Sequence, residues 1–327
     1  MNEHKIHLHY IDMLKGFGIF LVVLGHTHIG EEMAKFIFSF HMPLFFFISG
    51  FLFNKDIPFI IFLKSKFKRI INPYLFFSLS SFLLYWIPAK IRNVDNIIGW
   101  KEFLLGTTLG LSDPPFLSWN IVLWYLPALF CLLILAYTIS KCPGKIGIII
   151  IVILTLTGFW LSKFNLLYFP YSINSVLSVL PFFYIGLIMK NVKITGILKL
   201  SAIIIGAFLL GFICLIHNGI VDVRINQLGN PFLFLINASS FIIVFFFIFQ
   251  MIPTFKIIRW LGLNSLAIMC LHLKAQFVPY LILSKFTEGI LKCLLVTIIS
   301  IILLIPVIFI LNRYFPFLVG NKTKKNG

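Results

Sequence analysis

Charge is scarce in this chain. Asp, Glu, Lys and Arg supply 11% of its 327 residues, and only 10 residues are acidic, against roughly 25% charged in soluble domains. Apolar residues supply 60%, more than a globular protein of this length hides from water, which excludes the soluble class and intrinsic disorder together. Cysteine is also sparse. Cys131, Cys142, Cys214, Cys270 and Cys293 match no zinc or redox spacing and mostly fall in apolar runs, so they read as small core residues, with no disulfide framework and no metal site. The first apolar run lacks a small-x-small cleavage site, which predicts a retained helix. No internal repeat of the transporter kind is visible.

The charge that is present is basic: 27 Lys and Arg give a formal net charge of +17. In so apolar a chain this excess reads as loops facing anionic lipid heads, and nucleic acid is not an expected partner.

A spanning helix needs about 20 apolar residues. Ten such windows follow one another, at 11–30, 36–54, 70–89, 119–140, 146–162, 170–189, 200–218, 231–252, 260–283 and 289–312. The expected fold is an all-α, polytopic transmembrane helix bundle, a single membrane-embedded domain over 1–327. With the N-terminus cytoplasmic, 17 of the basic residues fall on the inner side and 8 on the outer, with Lys15 and Lys274 inside helices. That bias predicts both termini inside. The longest polar stretch, Lys90 to Ser118, becomes an external loop with room for a short interfacial helix.

Ionisable residues inside spanning segments are expensive and mark function by default. The first helix carries Asp12, Lys15 and His26. Lys15 and His26 are 11 residues apart, about 1,100° of helical rotation, within about 20° of three full turns. Asp12 falls about 40° from the same line. The three therefore share one stripe, with the cation low and the imidazole about 16 Å higher. The bland alternatives are an interfacial Asp12–Lys15 ion pair and a helix-end histidine. His41 opens the next helix at a comparable depth, so two imidazoles are placed to face one cavity. Histidine suits proton transfer because its unperturbed pKa is near neutrality. A basic run from Lys64 to Arg69 then precedes Asn72-Pro73-Tyr74; a positive helix mouth of this kind binds phosphates or simply marks the cytoplasmic side.

Taken together these segments resemble the acyltransferase-3 family of integral membrane O-acyltransferases, and more narrowly its fucose 4-O-acetylase-like members. The acidic residue, cation and His spaced over one helix are similar to Asp12, Lys15 and His26, and the next signature resembles Phe40-His41-Met42-Pro43 through Ser49-Gly50-Phe51. Further matches are Lys66, Arg69, Pro73 and Tyr74; Leu123-Trp124-Tyr125-Leu126-Pro127; Leu180-Pro181 through Gly186; Gly229-Asn230-Pro231; and Leu261-Gly262 with Asn264-Ser265-Leu266 and His272. Their order is collinear from about residue 10 to about 275. Lys15 stands where many members have Arg, which keeps the charge and gives up the bidentate fork.

The resemblance implies a bacterial inner-membrane enzyme using cytoplasmic acetyl-CoA as acyl donor. The acceptor it implies is a hydroxyl of an envelope glycan or lipid-linked sugar. Some relatives carry an extra extracytoplasmic hydrolase-like domain, which makes a separate extracytoplasmic transferase partner an expectation for a chain without one. On this reading His26, Lys15, Asp12 and His41 are the catalytic candidates, and Arg69, Lys66 and Lys15 the donor-binding ones. A glycan-precursor transporter is the alternative from another class.

Overall fold

The computed structural model describes residues 8–164, 169–192, 196–286 and 288–320. Those residues form helices joined by short turns, and the only β-type pairing among them is an isolated bridge between Asp222 and Gln227. The helices are α1 (His9–Gly25), α2 (Glu31–Phe51), α3 (Phe59–Lys66), α4 (Asn72–Ile91), α5 (Trp100–Leu109), α6 (Tyr125–Ile139) and α7 (Gly144–Leu161). They continue with α8 (Ile173–Met189), α9 (Ile197–His217), α10 (Pro231–Met251), α11 (Lys256–Leu263), α12 (Ser265–Ala275), α13 (Phe277–Ile282) and α14 (Ile290–Tyr314).

Among the described residues, nine helical stretches are long and apolar enough to cross a membrane. The chain is an all-α polytopic bundle. The first sequence window falls outside the nine because α1 has 17 residues, about 25 Å of rise. It is instead the buried centre: Ile11, Leu14 and Val23 are at most 1% exposed. By contrast α9 is apolar on all sides and presents Ile205, Leu209, Leu210 and Ile213 outward, as a lipid-facing helix does.

Two windows differ from expectation in an instructive way. The third begins earlier, because α3 runs through a π-helical turn, Phe67–Ile71, into α4 as one helix of 33 residues. Lys64, Lys66, Lys68 and Arg69 had broken the charge-free run there without breaking the helix. The ninth is three helices, α11 to α13, whose first junction is Asn264. Its side chain donates to the carbonyl of Trp260 at 2.8 Å and accepts from Asn312 at 2.8 Å. The expected short helix in the Lys90–Ser118 loop is α5.

Loops alternate between two ends. At one end Lys141 reaches the carbonyl of Lys55, Lys190 reaches that of Phe53, and Asp12 pairs with Arg259. The 3-10 turn Pro316–Val319 packs on the π turn at this same end, so both ends of the described chain lie together. At the other end His28 meets Tyr280 and Lys35 reaches the carbonyl of Ile216.

Two helix crossings are each held close by a pair of glycines. A methyl at Gly16 would overlap the backbone carbonyl of Ile258, and one at Gly262 would overlap that of Asp12, so α1 and α11 cross backbone to backbone. Gly50 and Gly186 do the same for α2 and α8, against the carbonyls of Phe183 and Phe47. Small residues at contacts of this kind let membrane helices approach when hydrophobicity gives them no reason to associate.

Candidate functional site

A cavity of about 450 Å³ runs beside α1, within the range of small-molecule sites. Its wall is mostly apolar, with Lys15, His26, His41, Ser49, Trp124, Asp222 and Arg224 as polar or amphipathic points. Lys15 and His26 line the same space, three turns apart on one helix face. The two side chains expected on one stripe thus line one cavity.

At the Lys15 end, Nζ of Lys15 lies 2.9 Å from Asp12 Oδ1, and Nε of Arg259 lies 3.8 Å from Asp12 Oδ2. Two cations stand beside one carboxylate. Asp12 is 7% exposed in its side chain, Lys15 23% and Arg259 33%. The close α1–α11 crossing brings Arg259 here, one turn before Gly262. Asp12 itself is not part of the cavity wall; it orients the lysine that is.

Lys66 and Arg69 stand differently. Neither belongs to the cavity lining, which touches their segment only at Ile70. Lys66 Nζ sits 5.3 Å from the centre of the Phe62 ring, and Arg69 is exposed on the π turn. A π turn inserts one residue into a helix and recurs at functional sites; here it turns Ile70 inward and Arg69 outward.

At the opposite end three imidazoles gather. The His26 ring centre is 5.2 Å from that of His272 and 6.3 Å from Phe38, and Phe38 is 5.1 Å from His41. His41 Nδ1 is 2.8 Å from the carbonyl of Ile37. His272 Nδ1 is 2.8 Å from the carbonyl of Met269 and 3.1 Å from that of Ile268. A carbonyl only accepts, so both rings carry a proton on Nδ1, and in the neutral imidazole Nε2 presents a lone pair. His272 is fully buried, and its Nε2 has no hydrogen-bond partner among the described residues. An unsatisfied buried polar nitrogen beside His26 is costly.

The same end is walled in part by the loop between α9 and α10. Its Asp222–Gln227 bridge is tied by two backbone bonds of 2.8 and 3.0 Å. Asn218 braces the base, donating to the carbonyl of Leu228 at 3.1 Å and accepting from the N–H of Asn230 at 2.7 Å. Asp222 and Arg224 emerge from it into the cavity.

Sequence reasoning therefore placed Lys15, His26 and His41 on a common cavity and missed three contributors. In the sequence Arg259 and Arg224 stand only among the basic residues outside the spans, and His272 only within the family resemblance. The signal for His272 was its helix: a histidine in an apolar span that must find partners. No cluster of three or more His, Cys, Asp or Glu able to share a metal occurs among the described residues. Ser49 donates to the carbonyl of Phe45 at 2.8 Å and forms part of the cavity wall, as does Trp124.

A family model described as an acyltransferase domain matches residues 8–318 of the chain. No curated protein and no solved structure matches it.

Proposed function

The chain belongs to the acyltransferase-3 family, and from that premise we propose that it is a fucose 4-O-acetylase-like O-acetyltransferase of the bacterial inner membrane. In this reading it takes acetyl from cytoplasmic acetyl-CoA and transfers it to a hydroxyl of an envelope sugar, such as a unit of O-antigen, capsule or exopolysaccharide. The observation that carries the reading is the single cavity that Lys15 and His26 both line.

The Lys15 end is assigned to the cytoplasm, in keeping with the bias of basic residues toward the side of the termini. Its two cations around Asp12 suit a donor that carries several phosphates. Lys15 lines the passage, Arg259 shares its counter-ion, and Lys66 and Arg69 add positive charge outside the cavity. The extended arm of such a donor reaches toward His26 between apolar walls, where polar groups are tolerated because protein shields them from lipid.

His26 acts as general base. It accepts the proton of the sugar hydroxyl at a ring nitrogen as that oxygen bonds to the thioester carbonyl carbon. The carbon–sulfur bond then breaks, and His26 returns the proton to the departing thiolate. The products are an ester and a free thiol, with charge and atoms balanced. His41 holds the acceptor hydroxyl or the developing oxyanion; with its proton fixed on Nδ1, its lone pair favours the hydroxyl. Direct attack predicts a ternary complex, whereas an acetyl-imidazole on His26 would show ping-pong kinetics.

The test is the surface glycan of a deletion strain, with the gene restored as wild type or as His26→Ala. Loss of acetyl substituents with the polymer amount unchanged, reversed only by the wild type, is the expected result. Loss of the polymer itself would instead support the transporter reading.

A further inference from the structure

The family reading leaves unstated how the acceptor is held, and the loop at the His26 end bears on this. Resting on that acyltransferase reading, we propose that Asp222 and Arg224 form the acceptor subsite, and that it selects an electrically neutral polyhydroxyl ring over an acidic or amino sugar.

The pair is built into position. Arg224 Nη1 donates to the carbonyl of Ser112 at 3.0 Å, and Nη2 to Asp222 Oδ2 at 3.3 Å. Arg224's backbone is fixed as well, since its N–H donates to Asp222 Oδ1 at 3.0 Å and its carbonyl accepts from Ser175 at 3.3 Å. Asn226, buried, clamps the loop to the carbonyl of Gly158 at 3.1 Å. The loop is therefore secured to three other parts of the chain, and little ordering remains to be done when a ligand arrives.

Arg224 is 19% exposed and Asp222 38%, and both face the cavity that His26 lines. A guanidinium has five N–H donors. Two of Arg224's are spent on Ser112 and Asp222, so three remain. Asp222 offers lone pairs beside them. Adjacent donors and acceptors match vicinal hydroxyls, each of which donates and accepts. The pair carries no net charge. An acidic sugar would meet the Asp222 carboxylate, and an amino sugar the Arg224 guanidinium, so either pays for one unfavourable contact. Trp124, on the same cavity, supplies an aromatic face of the kind on which sugar rings rest.

The experiment uses the full chain in detergent micelles and three probes: a neutral methyl hexopyranoside, a methyl glucuronide and a methyl glucosaminide. Saturation-transfer NMR reads binding; labelled acetyl-CoA reads transfer. Wild type is expected to prefer the neutral glycoside. Arg224→Gln, which keeps a donor for Ser112, and Asp222→Asn should each weaken it roughly ten- to hundredfold with CoA binding unchanged. Asp222→Asn should also turn preference toward the glucuronide, and Arg224→Gln toward the glucosaminide. No glycoside binding by wild type, a wild-type preference for a charged probe, or variants that bind as wild type does would each overturn the subsite. Glycoside bound as expected but never acetylated would instead overturn the acyltransfer reading and leave the subsite standing. CoA binding in each variant reports folding independently of either outcome.

Discussion

At one end of the cavity Lys15 and Arg259 share a single carboxylate, Asp12; at the other, Arg224 has a carboxylate of its own, Asp222. The first end has a cation to spare, and the second is balanced. Counter-ion bookkeeping at this scale decides what each end attracts, because in a partly dehydrated site an unmatched charge is felt much more strongly than in water. The surplus end suits a polyanion, the balanced end a neutral alcohol. Between them three imidazoles gather near the balanced end, away from the cations. On the proposed function, a donor with charged phosphates and a reacting group far from them would span the roughly 16 Å of helix between Lys15 and His26.

The sharpest way to break it is at His26. His26→Ala is expected to lower acetyl transfer about a hundred- to ten-thousandfold, the usual worth of a general base, while donor binding stays as in wild type. Labelled acetyl transfer in membrane vesicles, alongside equilibrium binding of CoA, measures both. If CoA binding fell as much as transfer, the two ends would not be separate in function.

The complementary test empties the Lys15 end. Lys15→Ala should raise the donor KM about ten- to hundredfold, as expected for a lost hydrogen bond to a charged group, with acceptor KM little changed. Lys15→Arg should stay within about threefold of wild type, because the role is one of charge and the partner Asp12 remains. Steady-state kinetics varying each substrate separates the two. An effect of Lys15→Ala on acceptor KM alone would reverse the assignment of ends.

A third substitution disturbs the backbone support of the Lys15 end alone. Gly262→Ala forces a methyl against the carbonyl of Asp12 where α11 crosses α1. It should cost about 1–3 kcal/mol of stability, seen as a lower thermal unfolding midpoint in micelles. Surviving protein should show a raised donor KM with acceptor KM little changed, because the crossing holds Arg259 beside Asp12. An unchanged donor KM would mean that the crossing holds the helices together without tuning the site.

The stripe on α1 was legible because helical periodicity is a local property: spacing alone put Lys15 and His26 on one face, and the cavity lies along it. The bundle was legible for the same reason, since run length and apolarity define spans without reference to neighbours. What the sequence hid was set by tertiary approach. Arg259 reaches Asp12 only because Gly16 and Gly262 let two backbones touch, and no window of residues reports that. Arg224 enters the cavity because Asn218 and Asn226 fold its loop back onto the bundle, whereas in sequence it is one more external charge. The residues that carried the family resemblance also divide. Lys15, His26 and His41 face the cavity, while Gly50, Gly186 and Gly262 are helix crossings and Asn230 caps α10 through the N–H groups of Phe232 and Leu233. A motif read in sequence mixes chemistry with architecture, and the coordinates separate them.

Arg69 gives the finest division between the ends. It lies on the π turn, exposed, with its neighbour Ile70 on the cavity wall in its place. A cation there acts on an approaching donor through solvent, where exposed pairs contribute about 0–1 kcal/mol and salt screens them. Arg69→Ala should therefore raise donor KM no more than about fivefold, leave maximal turnover alone, and lose even that effect as ionic strength rises. Lys15, inside the passage and less exposed, should keep most of its effect in the same salt. Donor KM measured for both variants across a salt series tests the distinction directly. If Arg69→Ala matched Lys15→Ala and resisted salt, the cationic end would have to extend past the cavity wall onto the π turn. The surplus of charge that distinguishes the two ends would then belong to the mouth of the passage more than to its interior.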